Sequence, residues 1–448
     1  MKIAFKTFGC KANSVDTDYL VAEATRRGWQ IVPEEGVADA YVINSCTVTH
    51  AADRDARSQV LRYKRRNPDA LVAVVGCYAQ VAAKELLDIA QVDVVVGTAN
   101  KSKVLEHLEE RKRAEEAKFE RLRVEAPKGY LPERFAGSRN ARAPIKIQDG
   151  CNFKCAFCII PDARGRSRSL PLETVLRQID DAWAQGYREV VLTGIHLAHY
   201  GWDLGTDLMA LLKAALAKPV GPRIRLSTLD PFEIPDELVA MVGSEPRLCP
   251  HFHIAIQSGS DPVLAKMRRI YKASEFEVVA EKIHRHYPDT FIGLDVIVGF
   301  PGESDKAFEE TLQQLQRTYW TKAHVFPFSA RAGTAAAAMQ EEAIPASVIT
   351  ERSAILRRLS DERLGAFHRS QIGKTREMIL ERPATGLPGF WIGHTDNYVA
   401  TVVPAGEDFR PKNVLSVRLE RAKGERMTGR PVASMPAAQV PGPNTAVL

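Results

Sequence analysis

Over the first 100 residues, short apolar runs alternate with stretches of helical spacing. Residues 3–8, 40–44, 71–75 and 92–96 are runs of strand length, and continuous apolar character predicts strands buried on both faces. Residues 14–28 place Val15, Leu20, Val21 and Ala24 on one helical face and stop at Gly28, and residues 50–66 read as a basic helix. This alternation predicts a parallel sheet with covering helices. A second series predicts strands at 144–148, 189–193, 223–227, 251–256, 291–298 and 324–328. Helical stretches at 171–185, 261–270, 273–287 and 304–319 separate them. Six β/α units of about 40 residues suggest an incomplete (β/α) barrel, and the amphipathic helix over 348–369 is placed to close it. After Gly373 the pattern changes to short strands at 376–381, 389–393, 398–403 and 414–419, as in a small β-barrel.

The fold class is therefore α/β with a small β-barrel at the end. Its 448 residues suit about three domains. Boundaries are expected at 1–135, 140–372 and 373–435, with a frayed tail over 436–448. Residues 101–142, with twelve Lys or Arg and eight Glu, read as a helix followed by a linker. A hydrophobic fraction of 45% excludes a long disordered chain. The net charge of +6 permits an anionic partner without requiring one. No signal peptide or membrane helix is expected, which suggests a cytoplasmic protein with reduced thiols. Seven cysteines are too few, and odd in number, for a disulfide scaffold.

Cys151-Asn-Phe-Lys-Cys155-Ala-Phe-Cys158 is the strongest chemical signal. Soft thiolates suit iron–sulfur or zinc. Structural zinc wants four ligands, and no fourth Cys or His lies nearby. Three ligands on a four-iron cluster would leave one iron open. The loop follows the first strand of the second series, at a strand end where barrel sites form. Cys10, Cys46 and Cys77 each follow a predicted strand of the first series. In a parallel sheet those ends share one edge, so three distant thiols can converge there. Cys249 stands alone before Pro250 and reads as structural.

The C-x3-C-x2-C loop, with Phe157 before its last cysteine, resembles the radical S-adenosylmethionine (SAM) superfamily. The segments Thr7-Phe-Gly-Cys10-Lys-Ala-Asn13, Asn44-Ser-Cys46-Thr-Val, Val75-Gly-Cys77-Tyr-Ala-Gln and Ile147-Gln-Asp-Gly-Cys151 resemble the methylthiotransferase family within it, in particular the branch acting on N6-threonylcarbamoyladenosine in tRNA. The resemblance runs from Lys2 to about residue 433. It implies a Rossmann- or flavodoxin-like N-terminal domain, a partial (β/α)6 radical SAM barrel and a C-terminal TRAM β-barrel that binds RNA. It also implies two [4Fe-4S] clusters, SAM, and a reductant protein such as flavodoxin or ferredoxin. The ligands would be Cys10, Cys46 and Cys77 for one cluster and Cys151, Cys155 and Cys158 for the other. The reaction would place a methylthio group on C2 of the adenine next to the anticodon, position 37. An unactivated aromatic C–H is beyond an acid–base side chain, so a cofactor must carry that step.

Further residues carry alternatives. Phe157 would pack on the SAM adenine or serve as ordinary core. Thr193 and Gly194 would meet the SAM amino group or simply end a strand. Ser227, Asp230 and Gln257 end later strands and face the same mouth. Arg164, Arg166 and Arg168 follow the cysteine loop and would contact RNA or substrate, or form a solvated basic loop. Asn13 would orient substrate or cap the first helix. His196 and His199 read as loop residues. Phe390, Trp391 and Tyr398 would stack RNA bases or fill the small barrel. Two rivals share these features: the same chemistry on a ribosomal-protein side chain, and a two-cluster RNA-binding electron carrier.

Overall fold

The computed structural model describes residues 1–113 and 120–432, so the tail expected over 436–448 lies outside the described residues. Strands β1 (Lys2–Thr7), β2 (Gln30–Ile31), β3 (Ala40–Ser45), β4 (Leu71–Gly76), β5 (Val94–Val96) and β6 (Leu122–Arg123) form one parallel sheet in the order β2-β1-β3-β4-β5-β6. Its apolar strands are covered on both sides, as their continuous hydrophobicity requires. Leu20 and Ala24 of helix Lys11–Arg26 and Leu105 and Leu108 of helix Val104–Arg113 pack on one face. Ala56, Val60 and Tyr63 of helix His50–Arg66 pack on the other.

The first helix begins three residues earlier than its apolar spacing indicates. Cys10 is extended and serves as its N-cap without a side-chain hydrogen bond. Asn13 lies inside the first turn, so it is not the cap.

β7 (Ala143–Lys146) leads into the short antiparallel pair β8 (Gln148–Asp149) and β9 (Arg168–Ser169), which brackets the cysteine loop. β10 (Glu189–Thr193), β11 (Arg223–Leu226), β12 (Thr228–Leu229), β13 (His251–Gln257), β14 (Phe291–Val298) and β15 (Lys322–Pro327) complete the parallel series. The series is one barrel in sequence but two sheets in hydrogen bonding, β11-β10-β7 and β12-β13-β14-β15. The chain breaks at Ser227, whose N–H donates to Leu192 at 3.0 Å, before Thr228 and Leu229 pair with β13. Helix Ala346–Gln371 runs along the β15 edge, where Ser360 Oγ accepts from Ala323 N at 2.9 Å.

β16 (Thr375–Pro383), β17 (Phe390–Thr395), β18 (Ala400–Pro404), β19 (Val414–Lys423) and β20 (Arg426–Pro431) close into a barrel. Four strands were legible. The fifth, β20, is not among the expected strands, yet it joins β18 in parallel and β19 antiparallel. A buried hub locks this barrel to the central one. Glu189 accepts from Arg223 at 2.6 Å and Arg225 at 2.7 Å. Both arginines also donate to backbone carbonyls of β17 and the turn after it, Arg225 to Asp396 O at 2.9 Å. Burial opposes ionisation of Glu189, but the guanidiniums win and hold its carboxyl well below the usual range. Cys249 is buried beside this hub, and burial pushes its thiol up to about 12, consistent with a structural thiol. Among the described residues no helix is long and apolar enough to cross a membrane.

Candidate active site

Each N-terminal cysteine sits just past a strand end. Cys10 follows β1 through Gly9 at φ +90°, and Cys77 follows β4 through Gly76 at φ +97°. A Cβ on Gly9 would lie 2.5 Å from Cys46 Cβ and 2.6 Å from its sulfur, so only glycine lets the first turn come this close. Cys46 and Cys77 are buried and Cys10 is exposed. Burial pushes the Cys46 thiol up to about 12, and nearby Cys77 and Cys10 add to the rise. Three soft donors converging on one edge suit a metal centre that displaces their protons.

Arg164 requires a correction. Its place in a basic loop suggests RNA or substrate contact, but it is fully buried. Its Nε donates to Cys77 Sγ at 3.2 Å, one terminal nitrogen to both Asp149 oxygens at 2.9 and 2.8 Å, and the other to Asn13 Oδ1 at 2.5 Å. The physical reason is pairing: a guanidinium can be buried when every donor it turns inward meets an acceptor. Asn13 is corrected with it. It is buried, and its amide donates to the carbonyls of Phe8 at 2.9 Å and Ser45 at 3.0 Å, so it ties the turns of two cysteines together and has no face for substrate. The network continues through Asp16, which pairs with Lys101 at 2.7 Å and with Lys146; Lys146 also pairs with Asp149 at 3.0 Å. Two lysines and one arginine face two aspartates, all with no exposure. Within this network the Arg164 guanidinium donates to Cys77 Sγ, which suits a sulfur that ligates a cluster.

The second triad lies in the loop after β8. Gly150 has φ +79°, and a Cβ there would come within 2.1 Å of Arg166 O. The turn lets Cys151 N donate to Gly165 O at 3.1 Å, while Phe153 N donates to Cys151 Sγ at 3.4 Å. Arg269 donates to Cys155 Sγ at 3.1 Å and forms an ion pair with Asp230. Burial pushes the Cys158 thiol up to about 12. His196 Nδ1 lies 3.8 Å from Cys151 Sγ, and its Nε2 is 2.6 Å from Glu233. Burial disfavours its charge, but Cys151 and Glu233 raise it to about 9. Burial likewise opposes Glu233, yet His196 and His199 bring it down to about 2. His199 stacks on His196 and reaches Glu233 at 3.3 Å. His196 caps and His199 ends a short 3-10 helix, Leu197–His199, and with Glu233 they form a group of donor atoms within 4.8 Å of one another. Their tie to Glu233, like Arg269 on Cys155, has no sequence signal because the partners sit on different β/α loops.

A cavity of about 440 Å³ joins the triads: Cys10 lines it together with Cys151, Cys155 and Cys158. Phe157, Thr193, Gly194, Ser227, Asp230 and Gln257 face the same space. Ser227 Oγ is buried without a hydrogen-bond partner among the described residues, and Gln257 is held at φ +56°. An orphaned hydroxyl and a strained polar residue at a cavity wall fit a polar ligand such as SAM. A cavity of about 370 Å³ extends past Phe157, whose ring also meets Phe300 edge-on. Arg166 is exposed, whereas Arg168 is partly buried and donates to Gly129 O. Tyr398 is half-buried: it packs against His251 and Phe291, beneath Arg225 at 5.0 Å, and lines a cavity beside the main one. Phe390 and Trp391 are partly buried in the small barrel's apolar clusters.

The fold and this cavity define a radical SAM enzyme carrying an additional thiol-bearing sheet. Residues 145–315 match the Radical SAM superfamily, and residues 2–97 match the family described as Uncharacterized protein family UPF0004. The chain is 40% identical to the threonylcarbamoyladenosine tRNA methylthiotransferase MtaB of Aquifex aeolicus, across 85% of this chain and 93% of that one. It is 36% identical to the protein of the same name from Bacillus subtilis, across 94% of each. It is 28% identical to a tRNA-2-methylthio-N(6)-dimethylallyladenosine synthase of Methylacidiphilum infernorum, across 96% of this chain and 95% of that one. The chain therefore belongs to the MtaB family of radical SAM methylthiotransferases. The radical SAM methyltransferase TsrM of Kitasatospora setae shares the fold, with a TM-score of 0.53, 14% identity and coverage of 73% of this chain and 74% of that one.

Proposed function

We propose that this chain converts N6-threonylcarbamoyladenosine at position 37 of tRNA to its 2-methylthio derivative. The observation that carries this reading is the shared cavity, in which Cys10 of one triad faces all three cysteines of the other. The family names at 40% and 36% identity support the threonylcarbamoyl substrate over the ribosomal-protein and electron-carrier rivals. In this reading Cys10, Cys46 and Cys77 hold an auxiliary [4Fe-4S] cluster and Cys151, Cys155 and Cys158 hold the SAM-binding cluster. When bound, the clusters and SAM supply the radical and the methylthio group. The chain's residues do the rest. Phe157, Thr193, Gly194, Ser227, Asp230 and Gln257 seat SAM, with Asp230 held in place by Arg269. Arg269 and His196 donate toward the sulfurs of Cys155 and Cys151. Arg164 and Asn13 hold the N-terminal cysteine turns against the loop that carries the second triad. Arg166 and the basic helix His50–Arg66 offer cations for RNA phosphate, so binding is expected to weaken with salt. A flavodoxin or ferredoxin supplies electrons in the cytoplasm. The unit boundaries at 1–135, 140–372 and 373–435 belong to the same proposal.

The test is nucleoside mass spectrometry of tRNA from cells lacking the gene. Loss of the methylthio form with accumulation of threonylcarbamoyladenosine is the expected result. An unchanged tRNA profile sinks the reading.

A further inference from the structure

Beside the main cavity lies a second one of about 340 Å³, between the central strands and the C-terminal barrel. Lys11 and Thr228 line both, so the two spaces meet at these residues. The second cavity has a polar wall that includes His251, His253, His324 and His394. Several ionisable groups around it already have partners, although His251 Nδ1 is buried without one among the described residues. Lys322 pairs with Glu425 at 2.6 Å, His253 with Asp295 at 2.9 Å and His394 with Glu381 at 2.8 Å. Two cations facing it, Lys11 and Arg426, are exposed and make no side-chain hydrogen bond or ion pair among the described residues; Tyr398 and Asp295 act on Lys11, and Glu425 on Arg426, only at longer range. A polar cavity edged by two cations that have no contact ion pair of their own offers an anion two charged donors.

The substrate proposed above has such an anion. The N6 group of threonylcarbamoyladenosine ends in a carboxylate, several bonds beyond the purine ring. Lys11 directly follows Cys10, so with C2 of the adenine turned toward the Cys10 triad, the lysine stands where the N6 side of the ring can reach. The other extension of the main cavity is unsuited to that group. It is walled by Phe157, Ile297, Phe326, Pro327 and Phe328, and its cation, Arg331, is already bound to Thr47 at 2.6 Å and to Asp53.

We infer that the second cavity is the subsite for the N6 substituent and that Lys11, assisted by Arg426, binds its carboxylate and so sets substrate specificity. This rests on the functional reading above. A charge-assisted hydrogen bond to a carboxylate in such a site is worth roughly a tenfold to hundredfold in affinity.

The test uses the reconstituted full-length holoenzyme and an anticodon stem-loop RNA carrying threonylcarbamoyladenosine, either as the free acid or as its methyl ester. Dissociation constants are read by fluorescence anisotropy and turnover by nucleoside mass spectrometry. The wild type should bind the acid about tenfold to hundredfold more tightly than the ester. Lys11→Met should bring the acid-to-ester ratio to near one at unchanged iron content, and Lys11→Arg should restore part of it. Arg426→Met, far along the chain from any cysteine, should lower the ratio without touching the clusters. It decides the matter should Lys11→Met lose iron. A wild type that binds acid and ester alike overturns the inference, as does a ratio preserved in both Met variants. Failure of the functional reading looks different: no methylthiolation of the acid RNA by the wild type.

Discussion

Replacing Arg164 by Met tests the claim that this residue joins the two halves of the active site. The side chain loses four buried hydrogen bonds, to Cys77, both oxygens of Asp149, and Asn13. Bonds to charged groups contribute about 1.5–3 kcal/mol each, which sets an upper bound well above the true cost. Asp149 keeps Lys146 at 3.0 Å, so its charge is not abandoned. Removing one partner of a buried ion pair typically costs about 3–5 kcal/mol, and we expect that range here. A chain of several domains does not unfold in one step, so a global midpoint is the wrong readout. Native-state hydrogen exchange is the right one, at the backbone amides of the first turns of helix Lys11–Arg26 and of strand β7. A loss of 3–5 kcal/mol speeds exchange there by roughly a hundredfold to a few thousandfold. Arg164→Lys keeps the charge but cannot reach three partners at once, and should fall between. The reasoning is refuted if Arg164→Met exchanges within about tenfold of the wild type and still retains the iron held by Cys10, Cys46 and Cys77.

Anaerobic reconstitution should give about eight irons per chain, and a triple Ala variant at Cys10, Cys46 and Cys77 about four, while SAM cleavage persists in part; loss of all cleavage would show that the triads do not divide the work as proposed. Gly150→Ala forces a side chain into the left-handed region and onto Arg166 O, so iron content should fall by about half, measured by the same assay. The His196–Glu233 pair should show a pH window in the apoprotein. His196 is raised to about 9, so its contribution is full below the unfolded value near 6.5 and is lost as pH rises through 9. Glu233 is lowered to about 2, so its contribution is full above about 4.5 and is lost as pH falls toward 2. The local opening free energy lost in His196→Gln, read by native-state hydrogen exchange at the amides flanking His196 and Glu233, should therefore peak between about pH 4.5 and 6.5, and a difference that is flat from pH 4 to 9 would contradict the assignment.

The strand series and the two sets of three thiols at strand ends were legible in the chain because they depend on local rules. Apolar periodicity fixes which stretches are strands, and parallel topology brings their C-terminal ends to one edge. The split of the central series at Ser227 and the fifth strand of the last barrel were not legible, since both depend on which neighbour supplies the hydrogen bonds. The larger differences concern charge. Arg164 reads as solvated because burying a guanidinium is costly unless it is matched, and its matches at Cys77 and Asn13 lie 87 and 151 residues away. Tyr398 reads equally as a base-stacking or a core ring, and its contacts with His251 and Phe291 come from strands more than 100 residues away. Lys11 shows the opposite case. Beside Cys10 in the sequence it is one more surface lysine, and only the assembled cavities show it edging both of them without a hydrogen bond or ion pair among the described residues. Sequence by itself determined where the soft ligands stand. Tertiary structure decided which charges are satisfied, because that depends on partners brought together from distant parts of the chain.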